Sequence, residues 1–271
     1  MIGQREVTNK IFGQIERGKF PRFSILIGES GSGKKTLAQE ISHKLNMSST
    51  IVGTSAENIR FCIEDSYKLV DPIVYVIADC DNMSSAAANA LLKVTEEPPQ
   101  QAYFILTCEN LENLLPTIKS RGVTYMLEPY SYEDKCDYLS VCNKQLSEED
   151  ETFVLEVATN IGDLKMFGDM NIAEFRQYVS LVIDNIAEVQ GSNAFKIGDK
   201  ISLKEDNNYD LRLFWKAFSC LCVDRMTGED AIKYAVAVAI TGNAIQQLSI
   251  KGINKDMLFS TWILDIRSEW L

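Results

Sequence analysis

Residues 28–36 read Gly-Glu-Ser-Gly-Ser-Gly-Lys-Lys-Thr, and this stretch decides the fold. The apolar run at 23–27 predicts a buried strand before it, and residues 34–45 predict a helix after it. Glycines let backbone N–H groups turn inward around an anion, and the start of the helix adds a partial positive charge. Strand, glycine-rich turn and helix together form a phosphate-binding loop, or P-loop. The residues predicted to hold the phosphates of a nucleotide are Gly28, Glu29, Ser30, Gly31, Ser32, Gly33, Lys34, Lys35 and Thr36.

The position that should bind magnesium is altered in this loop. The motif places Ser or Thr directly after its lysine because that hydroxyl coordinates Mg²⁺. Here residue 35 is Lys, and the hydroxyl comes one place later, at Thr36. Successive helix residues are rotated by about 100°, so Thr36 does not simply replace the missing ligand.

The second half of a nucleotide site is an acidic pair at the end of a strand, and the candidate is residues 73–81, IVYVIADCD. Ala78 stands where the metal-orienting carboxylate is expected, and Asp79 follows as a candidate residual carboxylate of the Walker B motif. A turn with a helix cap explains Asp79 and Asp81 equally well. We therefore predict no metal site in this chain.

Strands and helices alternate over the first 130 residues. The predicted strands are residues 23–27, 50–52, 73–77, 103–106 and 123–127. Alternation of this kind predicts an α/β fold, with a parallel sheet covered by helices on both faces. Beyond Tyr130 amphipathic helical patterns continue to Leu271, apart from a charged, loop-like stretch near residues 200–208.

Charge and composition narrow the class of protein. The 271 residues include 27 basic and 38 acidic side chains, and the net charge of −11 argues against a free-standing DNA-binding protein. Contact with DNA inside a larger assembly stays open. No run of residues reaches membrane-spanning length and no signal peptide opens the sequence, so we expect a cytoplasmic protein with no membrane partner.

The cysteines do not form a zinc-binding pattern, since none lies in a CxxC pair and the chain has one histidine. Thiols scattered through apolar runs are typical of small buried side chains in a reducing compartment. The cysteines are Cys62, Cys80, Cys108, Cys136, Cys142, Cys220 and Cys222.

Two longer segments resemble a known family. Residues 82–99, NMSSAAANALLKVTEEPP, are similar to the segment after the Walker B strand of AAA+ clamp-loader ATPase subunits. Residues 103–122, YFILTCENLENLLPTIKSRG, resemble the sensor-1 strand of that family running into its Ser-Arg-Cys motif. The delta-prime subunits of bacterial DNA polymerase III are the most similar, and the gamma/tau subunits come next. The resemblance is strong over residues 1–130, fair to about 170 and thin beyond.

The resemblance implies three parts: an AAA+ P-loop nucleotide-binding domain over 1–130, an α-helical lid over 131–170, and an α-helical collar-type oligomerisation domain over 171–271. It also implies partners, namely the other subunits of a hetero-oligomeric ring, a sliding clamp, and primer–template DNA reached through the assembly. The zinc-binding cysteines of bacterial relatives are absent between the P-loop and Walker B, where only Cys62 lies, so no zinc is expected.

Single residues take roles from their motif positions. Arg121 would be an arginine finger that acts in trans at the ATP site of a neighbouring subunit, and Gly122 replaces the motif cysteine. Fingers of this kind contribute about 10³–10⁵ in rate. The sensor-1 position falls on Glu109, or on Asn110 if the register slips by one. Lys165 would contact nucleotide from the sensor-2 segment, where arginine is usual.

Three functions compete. The first is a delta-prime-like clamp-loader subunit that holds ATP or ADP with weak or no magnesium dependence, is not an active ATPase by itself, and donates Arg121 during DNA replication. The second is an active, gamma/tau-like clamp-loader ATPase in which Thr36 with Asp79 or Asp81 recovers the metal. The third is an unrelated P-loop regulatory protein. Lys35, Ala78 and Glu109 favour the first.

Overall fold

The computed structural model describes residues 2–142, 146–188, 210–248, 250 and 252–271. The charged stretch predicted as a loop near residues 200–208 lies outside these ranges. Contacts divide the chain into two compact units, Met1–Asn143 with Asn160–Gly162, and Lys144–Thr159 with Asp163–Leu271. The predicted three-part division at residues 130 and 170 remains a prediction.

The first unit is built on a five-stranded parallel sheet with the strand order β2-β3-β4-β1-β5. The strands are β1 (Phe23–Ile27), β2 (Ser48–Val52), β3 (Ile73–Ile77), β4 (Ala102–Cys108) and β5 (Val123–Met126). The helices of this part of the chain are α1 (Arg5–Glu16), α2 (Lys34–Lys44), α3 (Ala56–Ser66), α4 (Ser85–Glu96), α5 (Pro116–Lys119) and α6 (Tyr132–Val141). The predicted parallel sheet is confirmed.

Side chains of the buried strands alternate between two cores, one on each face of the sheet. On one face, Ile25 and Phe104 pack in a cluster with residues of α3 and α4. On the other, Leu26 and Ile105 pack with residues of α1 and α2. Successive strand residues point to opposite faces, so a strand that is apolar throughout needs cover on both sides. This arrangement explains the uninterrupted apolar runs in the sequence.

Local signals fix where the helices begin and end. The hydroxyl of Ser55 accepts a hydrogen bond from the backbone N–H of Asn58 and begins α3. Ser84 begins α4 in the same way, and α4 stops just before Pro98. Ser131 and Asp134 form a full capping box at α6. Caps of this kind hold the loops at the sheet edge in place.

The second unit is helical over its described residues, as predicted for the C-terminal part. Its helices are α7 (Glu148–Val157), α9 (Ile172–Asn185), α10 (Leu211–Asp224), α11 (Ala231–Gln247) and α12 (Lys255–Trp270), and α8 (Ile161–Met166) begins in the first unit and continues here. An aromatic core fills it, in which Phe218 and Trp262 meet edge to face with ring centroids 4.8 Å apart. The buried indole N–H of Trp262 donates to the hydroxyl of Thr241 at 2.9 Å.

Candidate nucleotide-binding site

Three neighbouring strands bring the predicted site residues to one edge of the sheet. In the strand order, β4 lies between β3 and β1, and all three run in the same direction. Their carboxyl ends therefore meet, and ligands bind to open α/β sheets at this edge. The phosphate loop follows β1, Asp79 follows β3 and Glu109 follows β4. The structure thus places these three segments at the same edge of the sheet.

The phosphate loop has the backbone that an anion site needs. Gly31 and Gly33 adopt positive φ angles of 79° and 92°, which residues with a Cβ atom rarely adopt. Gly33 is the N-cap of α2, and no side chain caps that helix. Its first N–H groups are therefore left for a ligand, and the helix dipole favours a negative one. A phosphate group fits this cradle.

Lys34 is buried inside the loop. Its ammonium donates to the backbone carbonyls of Gly28 at 2.6 Å and Glu29 at 2.8 Å, and the residue is 6% exposed. An ammonium has three N–H donors, so these two bonds leave one for a phosphate. Burial lowers the pKa of Lys34, while the carboxylates of Glu109 and Asp79 act in the opposite direction.

Lys35 is paired with the candidate Walker B carboxylate. Its ammonium lies 2.8 Å from Oδ2 of Asp79, whose backbone is left-handed with φ of 57°. Ala78, at the preceding position, is buried and offers no ligand atom. An ammonium therefore takes the carboxylate that a magnesium ion would use. The residues at this edge fit a nucleotide phosphate but not a catalytic metal.

Asp81 is hydrogen-bonded to the backbone that follows β4. The carboxylate of Asp81 accepts the backbone N–H groups of Glu109 and Asn110, each at 2.8 Å. The side chain of Asn110 accepts the N–H of Glu112 and so caps a short turn. Among the charged groups near Lys34, Glu109 has the largest effect on its pKa. Asp81 bonds both backbone N–H groups equally, so the sensor-1 position at Glu109 or Asn110 remains a prediction.

Arg121 follows α5 and is held by two contacts. It donates to the backbone carbonyl of Thr117 at 3.0 Å and to Oε1 of Glu96, the last residue of α4, at 2.8 Å. Its side chain is 35% exposed. At Gly122, an added Cβ would stand 2.6 Å from Cδ1 of Ile25, so packing against β1 explains glycine in place of the motif cysteine. Three of the five N–H donors of the guanidinium are left by these two bonds.

Lys165 and the cysteines complete the predicted residues. Lys165 lies in α8, is exposed, and belongs to the second unit. Four thiols are buried as predicted, whereas Cys136 and Cys220 are half-buried and Cys142 is exposed, so burial of all seven was wrong. Burial raises the pKa of Cys62 to about 11, which keeps this thiol protonated and a poor metal ligand.

Sequence patterns missed two side-chain contacts of the phosphate loop. The hydroxyl of Tyr130 donates to the backbone carbonyl of Ser32 at 2.8 Å. The side-chain amide of Asn160 donates to the backbone carbonyl of Ser30 at 3.0 Å. The two residues are 130 positions apart, and no local motif pairs them. The only sequence signal was the nearby Gly162, which lies close to Gly31.

Comparison with known proteins gives one family model and several relatives that match different parts of this chain. The family model described as "DNA polymerase III, delta subunit" matches residues 64–131, a segment that includes Asp79 and Arg121. DNA polymerase III subunit gamma of Buchnera aphidicola subsp. Schizaphis graminum is 25% identical over 225 residues, 70% of this chain and 62% of that protein. The Replication factor C small subunit of Saccharolobus solfataricus is 23% identical over 262 residues, 91% of this chain and 78% of that protein.

The chain is thus similar to DNA polymerase III gamma subunits and to a Replication factor C small subunit, and it matches the delta-subunit family model over residues 64–131. It spans between 53% and 62% of the length of the Buchnera gamma subunits that it matches. These relatives are named as gamma, gamma/tau and Replication factor C subunits, so the delta-prime assignment remains a prediction.

Solved structures show the fold. A gamma subunit-related protein from Thermotoga maritima superposes with a TM-score of 0.59 at 18% identity, covering 97% of this chain and 99% of that one. The RuvB Holliday junction branch migration motor of the same organism gives 0.55 at 15% identity, covering 96% and 82%. The chain therefore shares the fold of these two proteins, a P-loop α/β part followed by a helical C-terminal portion. Within the described residues, no helix has both the length and the apolar character needed to cross a membrane.

Proposed function

We propose that this chain is a delta-prime-like clamp-loader subunit that holds ATP or ADP without effective hydrolysis and acts on a neighbouring subunit through Arg121. The observation that carries the proposal is the 2.8 Å ion pair between Lys35 and Asp79. It places a fixed positive charge where an active site of this class binds magnesium. Phosphate binding survives, because the glycine-rich loop and Lys34 need no metal to hold an anion.

The proposed nucleotide contacts are the loop residues and, from the sensor-2 segment, Lys165. Glu109 weakens the case for hydrolysis further, because a carboxylate beside a terminal phosphate repels it. We infer weak or no magnesium dependence of binding and no zinc requirement. The proposed organisation is a nucleotide-binding domain over 1–130, a lid over 131–170 and a collar-type domain over 171–271.

The first test is hydrolysis by the purified chain. We expect negligible ATP turnover with and without Mg²⁺, together with measurable ADP binding in both conditions. Mg²⁺-dependent turnover typical of an ATPase would rule out the inactive assignment. Absence of nucleotide binding in either condition would show that the loop has lost its ligand.

The proposed role of Arg121 is to stabilise the charge that develops on the nucleotide of the adjacent subunit. Its guanidinium is partly exposed and keeps three N–H donors beyond its bonds to Thr117 and Glu96. A planar guanidinium with free donors can bind phosphate oxygens in a bidentate manner. The proposed partners are other clamp-loader subunits, a sliding clamp, and primer–template DNA through the assembly.

The test of Arg121 needs the assembled complex. We expect Arg121→Ala to reduce ATP hydrolysis by the complex while leaving assembly intact. Arg176→Ala is the matched control, because Arg176 is also about one-third exposed and forms an ion pair of 2.8 Å with Glu149. Equal hydrolysis by the Arg121→Ala and Arg176→Ala complexes would contradict the finger role.

An active gamma/tau-like ATPase is the second candidate, and the names of the matched relatives favour it. In that case Asp81 or Asp79 would have to take up a metal. Asp81 is committed to two backbone N–H groups and Asp79 to Lys35. The hydrolysis assay of the isolated chain separates the two candidates.

A further inference from the structure

Asn160 lies directly on the phosphate loop and is 7% exposed. Its Nδ2 donates to the carbonyl of Ser30 at 3.0 Å, and its Oδ1 would be only 2.1 Å from a Cβ atom added at Gly31. A Cβ added at Gly162 would come within 2.8 Å of the Cα of Gly31. Residues 160–162 therefore touch the loop so closely that both glycines must lack side chains.

The segment that carries Asn160 is itself well ordered by hydrogen bonds. The carboxylate of Asp163 accepts both the N–H and the hydroxyl of Thr159, each at 2.9 Å. This closes a turn around residues 160–162. Asn160 thus reaches the loop from a braced turn, and the loop gains a side-chain contact at Ser30, on the segment between its first glycine and Gly31.

We propose that Asn160 is a positioning residue of the nucleotide site. Its amide holds the Ser30 carbonyl in place, so that the N–H groups of Gly31 and the following residues stay arranged for a phosphate group. The contact between Asn160 and Ser30 persists when nucleotide binds, so the contact and the bound nucleotide stabilise the same conformation of the loop. This inference rests on the proposed nucleotide site.

The sign of the effect is what makes the inference testable. If Asn160 holds the loop in its binding conformation, removing Asn160 weakens nucleotide binding. Part of the binding free energy is then used to order the loop. If Asn160 instead blocks the place where nucleotide enters, removing it strengthens binding. The two possibilities predict opposite changes in Kd.

The experiment measures ADP binding to the full chain in EDTA by calorimetry. We expect Asn160→Ala to raise Kd about two- to tenfold, the factor that corresponds to one lost hydrogen bond. Asn160→Asp keeps the shape but loses the N–H donor and adds a negative charge, so its Kd should rise further. Asn171→Ala is the control. The side chain of Asn171 caps α9 by accepting a hydrogen bond from the backbone N–H of Glu174, and we expect its removal to leave the Kd for ADP unchanged.

Hydrogen exchange without nucleotide gives a second readout. In Asn160→Ala, backbone amides 31–36 should exchange two- to tenfold faster, while the amides of β3 and β4 keep their wild-type rates. An unchanged or lower Kd in Asn160→Ala, or unchanged exchange at the loop, would overturn the positioning role alone. Failure of the wild-type chain to bind ADP would overturn the nucleotide site and this inference together.

Discussion

Replacing Lys35 by threonine should make nucleotide binding depend on magnesium. The substitution Lys35→Thr puts a hydroxyl directly after Lys34, where the motif expects one, and releases the carboxylate of Asp79 from its 2.8 Å ion pair. Two oxygen ligands for Mg²⁺ are then available together. In the wild-type chain we propose that the ammonium of Lys35 supplies the positive charge instead, and we expect nearly the same binding with and without Mg²⁺.

The exposure of the ion pair and Coulomb's law together give the size of the effect. The side chains of Lys35 and Asp79 are 50% and 59% exposed, and ion pairs of this kind contribute at most about 1 kcal/mol, so folding stability should hardly change. A unit charge about 5 Å from a phosphate charge attracts it by roughly 0.8 kcal/mol at the dielectric constant of water. Losing it should weaken metal-free binding about fourfold. With Mg²⁺ the variant should recover that factor or exceed it.

The assay is calorimetric titration with ADP, in EDTA and in Mg²⁺, of the wild type, Lys35→Thr and Lys44→Thr. Lys44 is a matched control because it lies in the same helix and forms an ion pair of the same length with Glu16, at the end of α2 away from the loop. We expect the ratio of the two Kd values to be about one in the wild type and the control, and about four or more in Lys35→Thr. A ratio near one in Lys35→Thr would refute the assignment of metal independence to Lys35.

Two further predictions concern packing and pH. Gly122→Ala would press a Cβ atom against Ile25, and overpacking of this kind costs about 1–3 kcal/mol, so the Tm should fall, whereas Gly242→Ala on an open helix face should raise it. Thermal unfolding measures both, and an unchanged Tm for Gly122→Ala would show that β1 yields easily. Burial lowers the pKa of Lys34, so ADP affinity should fall as pH rises through that lowered pKa, while folding stability rises between the folded and unfolded pKa values. Binding titrations over alkaline pH check this against Lys34→Met, which should show no such fall.

Local patterns predicted the sheet because each strand carries its own signal. The run at residues 73–77 is apolar at every position, and the structure has β3 at the same residues. The predicted ends of the strands were less accurate. The strand predicted at 50–52 begins at Ser48, and its start was missed because the exposed serine and threonine side chains of this edge strand interrupt the apolar pattern. Burial on both faces leaves a clear signature in sequence, and an exposed edge strand does not.

The candidate site also has a part that the sequence predicts and a part that it does not. The loop at residues 28–36 was predicted because its residues are adjacent in sequence and their spacing has a direct physical meaning. The pairing of Lys35 with Asp79 and the bonds of Asp81 to the end of β4 depend on distances across the sheet. The contact of Asn160 with Ser30 joins residues 130 positions apart. No periodicity or motif encodes such contacts, and only the folded chain brings them together.

The packing of Gly122 against β1 has a consequence for the spacing of sites in the proposed assembly. Ile25 and Phe23 fill the space that a side chain at residue 122 would need, and two residues after Ile25 the same strand ends at the phosphate loop. Strand β1 therefore links the phosphate loop to the position of Arg121, the residue that we propose acts on a neighbouring subunit. Because residue 122 has no side chain, the backbone next to Arg121 can lie directly against β1. In the proposed assembly, β1 would therefore help to set the distance from one nucleotide site to the next.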